Sequence, residues 1–286
     1  MKNKQASSAH VTNYALGSSS NQSKHQSQQT QSQANNSSNS RNTVKKVAIT
    51  GTLAAGKSAS LYIINSLGYP VLSCDSVVHD ILENNHEVRD LIKQNFPQSF
   101  KDGVFSRALL SRIVFANKEK LSMLEGFIYP HLNIAIDEFF TKCEDEINEK
   151  TGNDTDTVSS NNKHNNQHHN KGRNNNNTKN HEGNISGIHN DIANIAFVEI
   201  PLLFEKEKHK ELFDSVICID AKTDIRTERF ISRPHKTIDD FDRVETNQMN
   251  PITKRGLSDY CIENSGTIAD LKRAILIVIS RLQQLK

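Results

Sequence analysis

The chain has 286 residues, of which 35% are hydrophobic, and carries 35 Lys and Arg against 33 Asp and Glu, for a formal charge of +2. Two long stretches, residues 1–43 and 150–193, consist largely of Ser, Asn, Gln, Lys and His. They contain too few apolar side chains to offset the entropy lost on folding, so we predict that both are disordered. What is left, roughly 200 residues, is the size of one α/β domain with an insertion.

The distribution of charge and apolar residues argues against several classes of partner. The first 46 residues carry +6 because no acidic residue precedes Lys46, and the rest of the chain carries −4. A mildly acidic domain does not predict a specific nucleic-acid partner. The sequence shows no apolar run long enough for a membrane span and no secretory signal, so no membrane association is expected. The four cysteines lack C-x-x-C spacing and are predicted to be reduced packing residues of a cytoplasmic protein.

The first predicted element is a buried strand over residues 44–50, which leads directly into Gly-Thr-Leu-Ala-Ala-Gly-Lys-Ser at 51–58. This segment fits the phosphate-loop pattern G-x-x-x-x-G-K-[ST], in which backbone N–H groups surround phosphates, Lys57 adds a charge and Ser58 ligates Mg²⁺. A chance match is the alternative, but a predicted helix over 60–67 completes the strand–loop–helix context. The residues predicted to bind a nucleoside triphosphate here are Gly51, Thr52, Leu53, Ala54, Ala55, Gly56, Lys57, Ser58 and Ala59.

A second short strand is predicted over 71–74, after the turn at 68–70, and it ends at Asp75. Strand, helix and strand form a parallel βαβ unit, so Asp75 is expected at the same sheet edge as the phosphate loop. Its carboxylate could accept a proton from a substrate hydroxyl or hold the water shell of Mg²⁺. It could equally be the N-cap of the following helix, and position alone does not separate these roles.

The rest of the chain predicts an α/β fold with three layers. Residues 76–149 show helical spacing and are predicted to be a helical insertion at the C-terminal edge of the sheet. Further strands are predicted at 195–200, 216–219 and 260–263, with helices at 224–232 and 268–282. The expected result is a parallel sheet covered by helices on both faces, with ligands beyond the C-terminal strand ends. The His residues within 150–193 could form a metal-binding tract, but no fixed ligand pattern accompanies them, which favours a disordered loop.

Three arginines, Arg226, Arg229 and Arg233, share a face of one predicted helix, and Arg243 follows in the polar segment 235–250. We interpret 230–250 as a candidate mobile lid whose guanidinium groups would fold over a transferring phosphoryl group. The alternative is a solvated helix face with ordinary ion pairs, and the spacing alone favours that alternative. A phosphate loop also does not choose a reaction, since GTPases, ATPases and small-molecule kinases share it.

Several segments together are more specific than the loop. The chain carries an intact Pro-Leu-Leu-Phe-Glu at 201–205 and an Asn-Ser-Gly at 264–266, in order and spacing with the loop. From residue 44 to about 285, excluding residues 150–193, the chain resembles the dephospho-coenzyme A kinases. The positions that carry the resemblance, beside the loop and 201–205, are Asp75, Arg229, Arg233, Arg243, Gln248, Lys254, Asp259, Ile262, Asn264 and Gly266.

The resemblance implies a P-loop kinase fold within residues 44–286 and ATP-dependent phosphorylation of the ribose 3′-hydroxyl of dephospho-CoA, the last step of coenzyme A biosynthesis. It implies that Asp75 is the base at the hydroxyl, and that Lys57 and a Ser58-held Mg²⁺ neutralise the phosphates. Arg233 and Arg243 would be lid or phosphate contacts. Asn264 and Gly266 would lie near adenine, and 76–149 would hold the acceptor. The alternatives are a related nucleoside or nucleotide kinase and a non-catalytic ATP-binding protein, and the oligomeric state stays open.

The chain departs from the family pattern at several of these segments. Thr52 and Ala54 stand where the family usually has Gly, and Ser73 replaces the first acid before Asp75. Tyr129 stands where the family usually has His, and Ser106 where it has Asp. A Cβ disfavours positive φ, so an alanine is tolerable at position 54 only if that residue avoids positive φ.

Overall fold

The computed structural model describes residues 10–13, 43–152, 194–205 and 207–284. The disorder predicted for 1–43 and 150–193 therefore falls mostly outside the described residues. The prediction is wrong for His10–Asn13, which form a strand, β1, at the edge of the sheet. Their backbone groups pair with a strand more than 200 positions later, a contact that local composition does not encode.

Among the residues that the structure describes, six strands form one mainly parallel sheet in the order β1, β8, β7, β2, β6, β3. Within this sheet only β1 is antiparallel, and it pairs with β8. The predicted α/β fold with a parallel sheet is confirmed. The other strand bounds are β2 Lys45–Gly51, β3 Val71–Ser73, β6 Ile195–Glu199, β7 Ser215–Asp220 and β8 Tyr260–Glu263.

Helices cover both faces of the sheet, which explains why the central strands are nearly continuous apolar runs. Helices α1 (Lys57–Ser66) and α9 (Ile268–Gln284) pack on one face against side chains such as Ile49 and Ile219. The opposite face, with Ala48 and Val198, packs against the long helix α5 (Lys118–Gly152). Among the described residues, no helix has the length and apolar character needed to cross a membrane.

Between β3 and β6 the structure describes residues 74–152, and these contain four α-helices and one hairpin. The helices are α2 (Cys74–Asn84), α3 (His86–Asn95), α4 (Arg107–Phe115) and α5, and they share one apolar core with the sheet. The hairpin joins β4 (Phe100–Lys101) to β5 (Val104–Phe105) and was not predicted. Its turn residues, Asp102 and Gly103, have φ of 51° and 78°. Positive φ at both positions is what a two-residue hairpin turn of this hand requires.

The segment predicted as a lid is largely helical. Helix α6 (Thr223–Ile231) is followed by α7 (Ile238–Thr246) and α8 (Pro251–Leu257). The guanidinium of Arg226 is 2% exposed and donates to both carboxylate oxygens of Glu245 at 2.7 and 2.8 Å. The buried Arg226 side chain therefore links α6 to α7. It does not lie on a solvated helix face, which was the alternative considered for these arginines.

Lys254 on α8 is a buried cation beneath the phosphate loop. Its side chain is fully buried and its Nζ lies 2.9 Å from Glu205 Oε1. The same ammonium donates to the carbonyl oxygens of Pro201 at 3.3 Å and Gly51 at 3.5 Å. One charge thus fixes the start of the loop and the Pro-Leu-Leu-Phe-Glu segment relative to each other.

We predict that Glu205→Gln lowers the free energy of unfolding by about 3 kcal/mol, because it leaves the Lys254 ammonium buried without its counter-charge. Urea unfolding at neutral pH measures this change. Adding Lys254→Met to Glu205→Gln should recover most of the loss, since the double variant buries no charge. Arg273→Met, which removes an exposed ion pair with Asp270, is the control and should change stability by less than about 1 kcal/mol. Equal losses in the single and double variants would contradict the assignment.

Candidate active site

A cleft of about 540 Å³ lies at the C-terminal edge of the sheet. This is the edge at which ligands of parallel α/β folds bind. The phosphate loop and the ends of β3 and β6 form its floor, and α6, the segment before α8 and the residues after β8 form its walls. Its lining residues are Leu53, Ala54, Gly56, Lys57, Ser58, Ala59, Asp75, Glu199, Pro201, Arg229, Arg233, Gln248, Asn264, Gly266 and Ile268.

The two loop glycines sit where a side chain would collide with the protein. A Cβ on Gly51 would lie 2.0 Å from the Ile219 carbonyl oxygen, and Gly51 has a φ of 152°. A Cβ on Gly56, whose φ is 101°, would lie 2.4 Å from Asn264 Nδ2. That amide donates to the Ala55 carbonyl at 2.8 Å, so the residue predicted near adenine also holds the loop. The predicted strand–loop–helix context is present.

Ala54 does not avoid positive φ, the condition under which we expected its Cβ to be tolerable. Its φ is 57°, in the left-handed region, where a Cβ costs about 1 kcal/mol. The methyl group is buried and packs against Phe230 and Phe241, whose rings meet edge to face at 5.6 Å. Packing between the loop and helices α6 and α7 therefore compensates for the steric cost of the positive φ at Ala54.

Thr52 lies behind the loop and does not line the cleft. Its hydroxyl donates to Asp220 Oδ1 at 2.7 Å, and both side chains are buried. The Asp220 carboxylate also accepts from the Ala221 N–H at 2.9 Å and pairs with Arg255 at 3.3 Å. A glycine at position 52 could not make this hydrogen bond. Thr52 therefore fixes the loop to the end of β7 and is a positioning residue.

Lys57 and Glu199 place opposite charges in the floor of the cleft. The Lys57 ammonium donates to the Thr52 carbonyl at 3.0 Å. Burial lowers the pKa of Lys57, and the nearby carboxylates of Glu199 and Asp75 oppose that shift. An ammonium group with little contact to water in this position can readily donate hydrogen bonds to phosphate oxygens.

Glu199 is a site residue that the sequence reasoning missed. It is 3% exposed and its Oε2 accepts a hydrogen bond from the Ser73 hydroxyl at 2.9 Å. Burial raises the pKa of Glu199, the Ser73 hydrogen bond and Lys57 lower it, and Asp75 raises it further. The available signal was a single carboxylate in an otherwise apolar strand. Ser73 stands where the family has an acid, and here it donates to a carboxylate that an acid would repel.

Asp75 is the second residue of α2, and Ser73 occupies the N-cap position. The N-cap alternative for Asp75 is therefore wrong. The carboxylate is exposed and lines the cleft, where it faces the same space as Lys57 and Ser58. An acid in the first turn also interacts favourably with the positive end of the helix.

The predicted arginines divide into two groups. Arg229 and Arg233 line the cleft, and Arg229 also donates to the Ala55 carbonyl at 3.4 Å. Arg243 does not line it: its side chain is 73% exposed and pairs with Asp240 at 2.5 Å.

Gln248 does line the cleft, and its buried Oε1 has no hydrogen-bond partner within the described part of the chain. Gln248 is thus an unsatisfied acceptor at the wall of the site.

Thr52→Val should lower the free energy of unfolding by about 1–2 kcal/mol, because it keeps the shape of the side chain but removes a donor from the buried Asp220 carboxylate. Thermal or urea unfolding measures the loss. Thr52→Ser keeps the hydroxyl and should remain within about 0.5 kcal/mol of the wild type on the same reasoning. A Val variant as stable as the Ser variant would show that the Asp220 hydrogen bond does not stabilise the loop.

Glu199→Gln should raise the free energy of unfolding at pH 7. The pKa of Glu199 is raised in the folded state, so its ionisation destabilises the fold as the pH rises from the ordinary carboxylate value through the folded pKa. The glutamine lacks this ionisation. The gain should therefore shrink as the pH falls through the same range, and unfolding curves between about pH 4 and 8 measure it. A gain that is independent of pH would contradict this origin.

Comparison with known proteins identifies the family of the chain. The family model described as dephospho-CoA kinase matches residues 45–149 and 179–270, more than half of the chain. A dephospho-CoA kinase of Protochlamydia amoebophila is 26% identical over 233 residues, covering 81% of this chain and 93% of that protein. A dephospho-CoA kinase of Thermus thermophilus is also 26% identical, over 236 residues, covering 82% of this chain and 91% of that protein.

A solved structure shares the fold. The crystal structure of TT1252 from Thermus thermophilus aligns with a TM-score of 0.60 at 23% identity, covering 84% of this chain and 98% of that one. At this identity the structural match supports the fold alone. The family model, in contrast, spans the loop, the insertion and the site-forming segments up to Asp270. From this match and from the cleft that joins the phosphate loop to Asp75, we conclude that the chain belongs to the dephospho-CoA kinase family.

Proposed function

We propose that this protein transfers the γ-phosphoryl group of ATP to the ribose 3′-hydroxyl of dephospho-CoA and so completes coenzyme A. The observation that carries the proposal is the cleft in which Lys57 and Ser58 of the phosphate loop meet the exposed carboxylate of Asp75. The loop and the helix after it suit a triphosphate donor. A carboxylate across the same space suits an acceptor hydroxyl. Membership of the family supports the choice of both substrates.

The donor half consists of the loop backbone, Lys57 and the residues after β8. Loop N–H groups and the positive end of α1 would bind the β- and γ-phosphates, while Lys57 would move from the Thr52 carbonyl to a phosphate oxygen. Asn264 and Gly266 would contact the adenine side. Arg229 and Arg233 would stabilise charge on the transferring group. Arg243 would join them only if its ion pair with Asp240 opens.

The residues in the cleft fit a magnesium ion. Ser58 and Glu199 supply hydroxyl and carboxylate oxygens, the ligand types that Mg²⁺ prefers, and phosphates would provide the remaining ligands. Within the described residues no group of three or more His, Cys, Asp or Glu could form a separate metal cage. When bound, the ion would neutralise charge on the phosphates during transfer. A cation here would also favour the ionised form of Glu199.

The acceptor half begins at Asp75. Its carboxylate would accept the proton of the 3′-hydroxyl as that oxygen attacks the γ-phosphorus. Helix α2 continues from Asp75 into the insertion, which would hold the long pantetheine arm and exclude water from the cleft. The proposal includes a cytoplasmic location, in line with the four free cysteines.

One assay tests the proposed reaction. The full chain is incubated with Mg²⁺-ATP and dephospho-CoA, and the acceptor is analysed by mass spectrometry for a gain of one phosphoryl group. Formation of coenzyme A supports the proposal. Phosphorylation of a nucleoside or nucleotide instead would indicate a related kinase, and ATP binding without any product would indicate a non-catalytic protein.

Asp75→Asn should lower kcat by about 10²- to 10⁴-fold, because the amide cannot accept the hydroxyl proton. ATP affinity, measured by titration, should remain nearly unchanged. Asp80→Asn is the matched control: Asp80 is an exposed acid on the same helix that does not line the cleft, and its substitution should leave kcat unaltered. Unchanged turnover in Asp75→Asn would remove the base assignment.

A further inference from the structure

Two of the four cysteines are direct neighbours on the central strands. Cys218 on β7 and Cys261 on β8 are paired in register in the parallel ladder, and both are buried. Each thiol is close enough to shift the pKa of the other. The proposed phosphoryl transfer uses neither of them.

The register of the ladder places these two side chains next to each other on one face of the sheet. Strands paired in a sheet lie about 4.8 Å apart, and register-paired residues on parallel strands project to the same face. Disulfides join residues whose Cα atoms are about 4.4 to 6.8 Å apart. The strand spacing therefore falls in the range that a disulfide spans, and closing the bond requires the two strands to be drawn together locally.

The two thiols differ in their readiness to react. The neighbouring Cys218 thiol lowers the pKa of Cys261, and this effect together with that of Arg255 outweighs the opposing effects of burial, Asp220 and Glu263. The Cys261 thiol and burial raise the pKa of Cys218. Burial raises the pKa of Cys74 to about 12 and that of Cys143 to about 11. Thiolate is the reactive form of cysteine, so Cys261 is the favoured nucleophile.

We propose that Cys218 and Cys261 form a redox modification site that a hydroperoxide oxidises to a disulfide. The Cys261 thiolate attacks the terminal peroxide oxygen, the O–O bond breaks, and the products are a Cys261 sulfenic acid and an alcohol or water. The Cys218 sulfur then attacks the Cys261 sulfur, the S–O bond breaks, and the Cys218 proton leaves with the oxygen as water. Two thiols have then lost two electrons and the hydroperoxide has gained them.

The position of the pair connects its oxidation to the cleft. β7 ends two residues later at Asp220, which holds Thr52 of the phosphate loop. β8 is followed by Asn264, which holds the Ala55 carbonyl. A bond that draws the two strands together would displace both contacts and weaken binding to the loop. This effect on ATP rests on the proposed function, whereas formation of the disulfide does not.

The test treats the full, reduced and folded chain with hydrogen peroxide, removes the peroxide, then denatures the chain for alkylation, digestion and mass spectrometry. We expect two of the four thiols to resist alkylation and a cross-linked peptide, lighter by two hydrogens, to join Cys218 to Cys261. Dithiothreitol should reverse the change, and circular dichroism should show that the protein stays folded. A disulfide involving Cys74 or Cys143, stable over-oxidation of Cys261 without a cross-link, or cross-linking only after unfolding would overturn the proposal.

Cysteine variants distinguish oxidation of the Cys218–Cys261 pair from oxidation at the other cysteines. Cys261→Ser and Cys218→Ser should each abolish the cross-link, while Cys143→Ser, which removes a buried thiol from α5, should retain it. If a strand variant fails to fold, the wild-type peptide analysis still decides. ATP binding, followed by titration, should weaken about tenfold on oxidation and recover with dithiothreitol. Unchanged ATP affinity in the cross-linked protein would overturn the link to the cleft, and absence of phosphoryl transfer in the reduced protein would count against the proposed function alone.

Discussion

The requirement that buried charges find partners organises the region beneath the phosphate loop. The Asp220 carboxylate accepts hydrogen bonds from the Thr52 hydroxyl and the Ala221 N–H and forms an ion pair with Arg255. The Lys254 ammonium pairs with Glu205 and donates to two backbone carbonyls. Unpaired, either charge would cost several kcal/mol in this environment. Each pair joins segments that are distant in the chain. The loop, the end of β7 and the start of α8 are therefore fixed together before any ligand binds.

Above that level the cleft contains groups whose electrostatics are less favourable in the free protein. Burial lowers the pKa of Lys57 and raises that of Glu199, so both charged forms are destabilised when no phosphate or cation is present. Gln248 adds an acceptor without a partner among the described residues. Sites that bind charged ligands often sacrifice stability in this way. The rigid charge pairs below the loop supply the support that such a site needs.

The sequence predicted the parts of the fold that depend on continuous patterns. Strands buried on both faces appear as apolar runs, and the phosphate loop is defined by residue identity and spacing, so β2, β6 and the loop were located. Glu199 escaped because one carboxylate within an apolar strand carries no periodic signal. The positive φ of Ala54 was not foreseen, because the steric rule does not include the packing of Phe230 and Phe241 that compensates for it. β1 was missed because its partner lies at the other end of the chain.

That first strand has a practical consequence. β8 would otherwise form the edge of the sheet, with a row of free N–H and C=O groups that can pair with a strand of another molecule. Residues His10–Asn13 cover this edge, and Val11 packs against the core shared by α1 and α9. A polar segment that composition marks as dispensable therefore covers an edge of the sheet. Removing it to obtain a shorter protein for crystallisation would expose a strand edge with unpaired N–H and C=O groups, next to the residues that hold the phosphate loop.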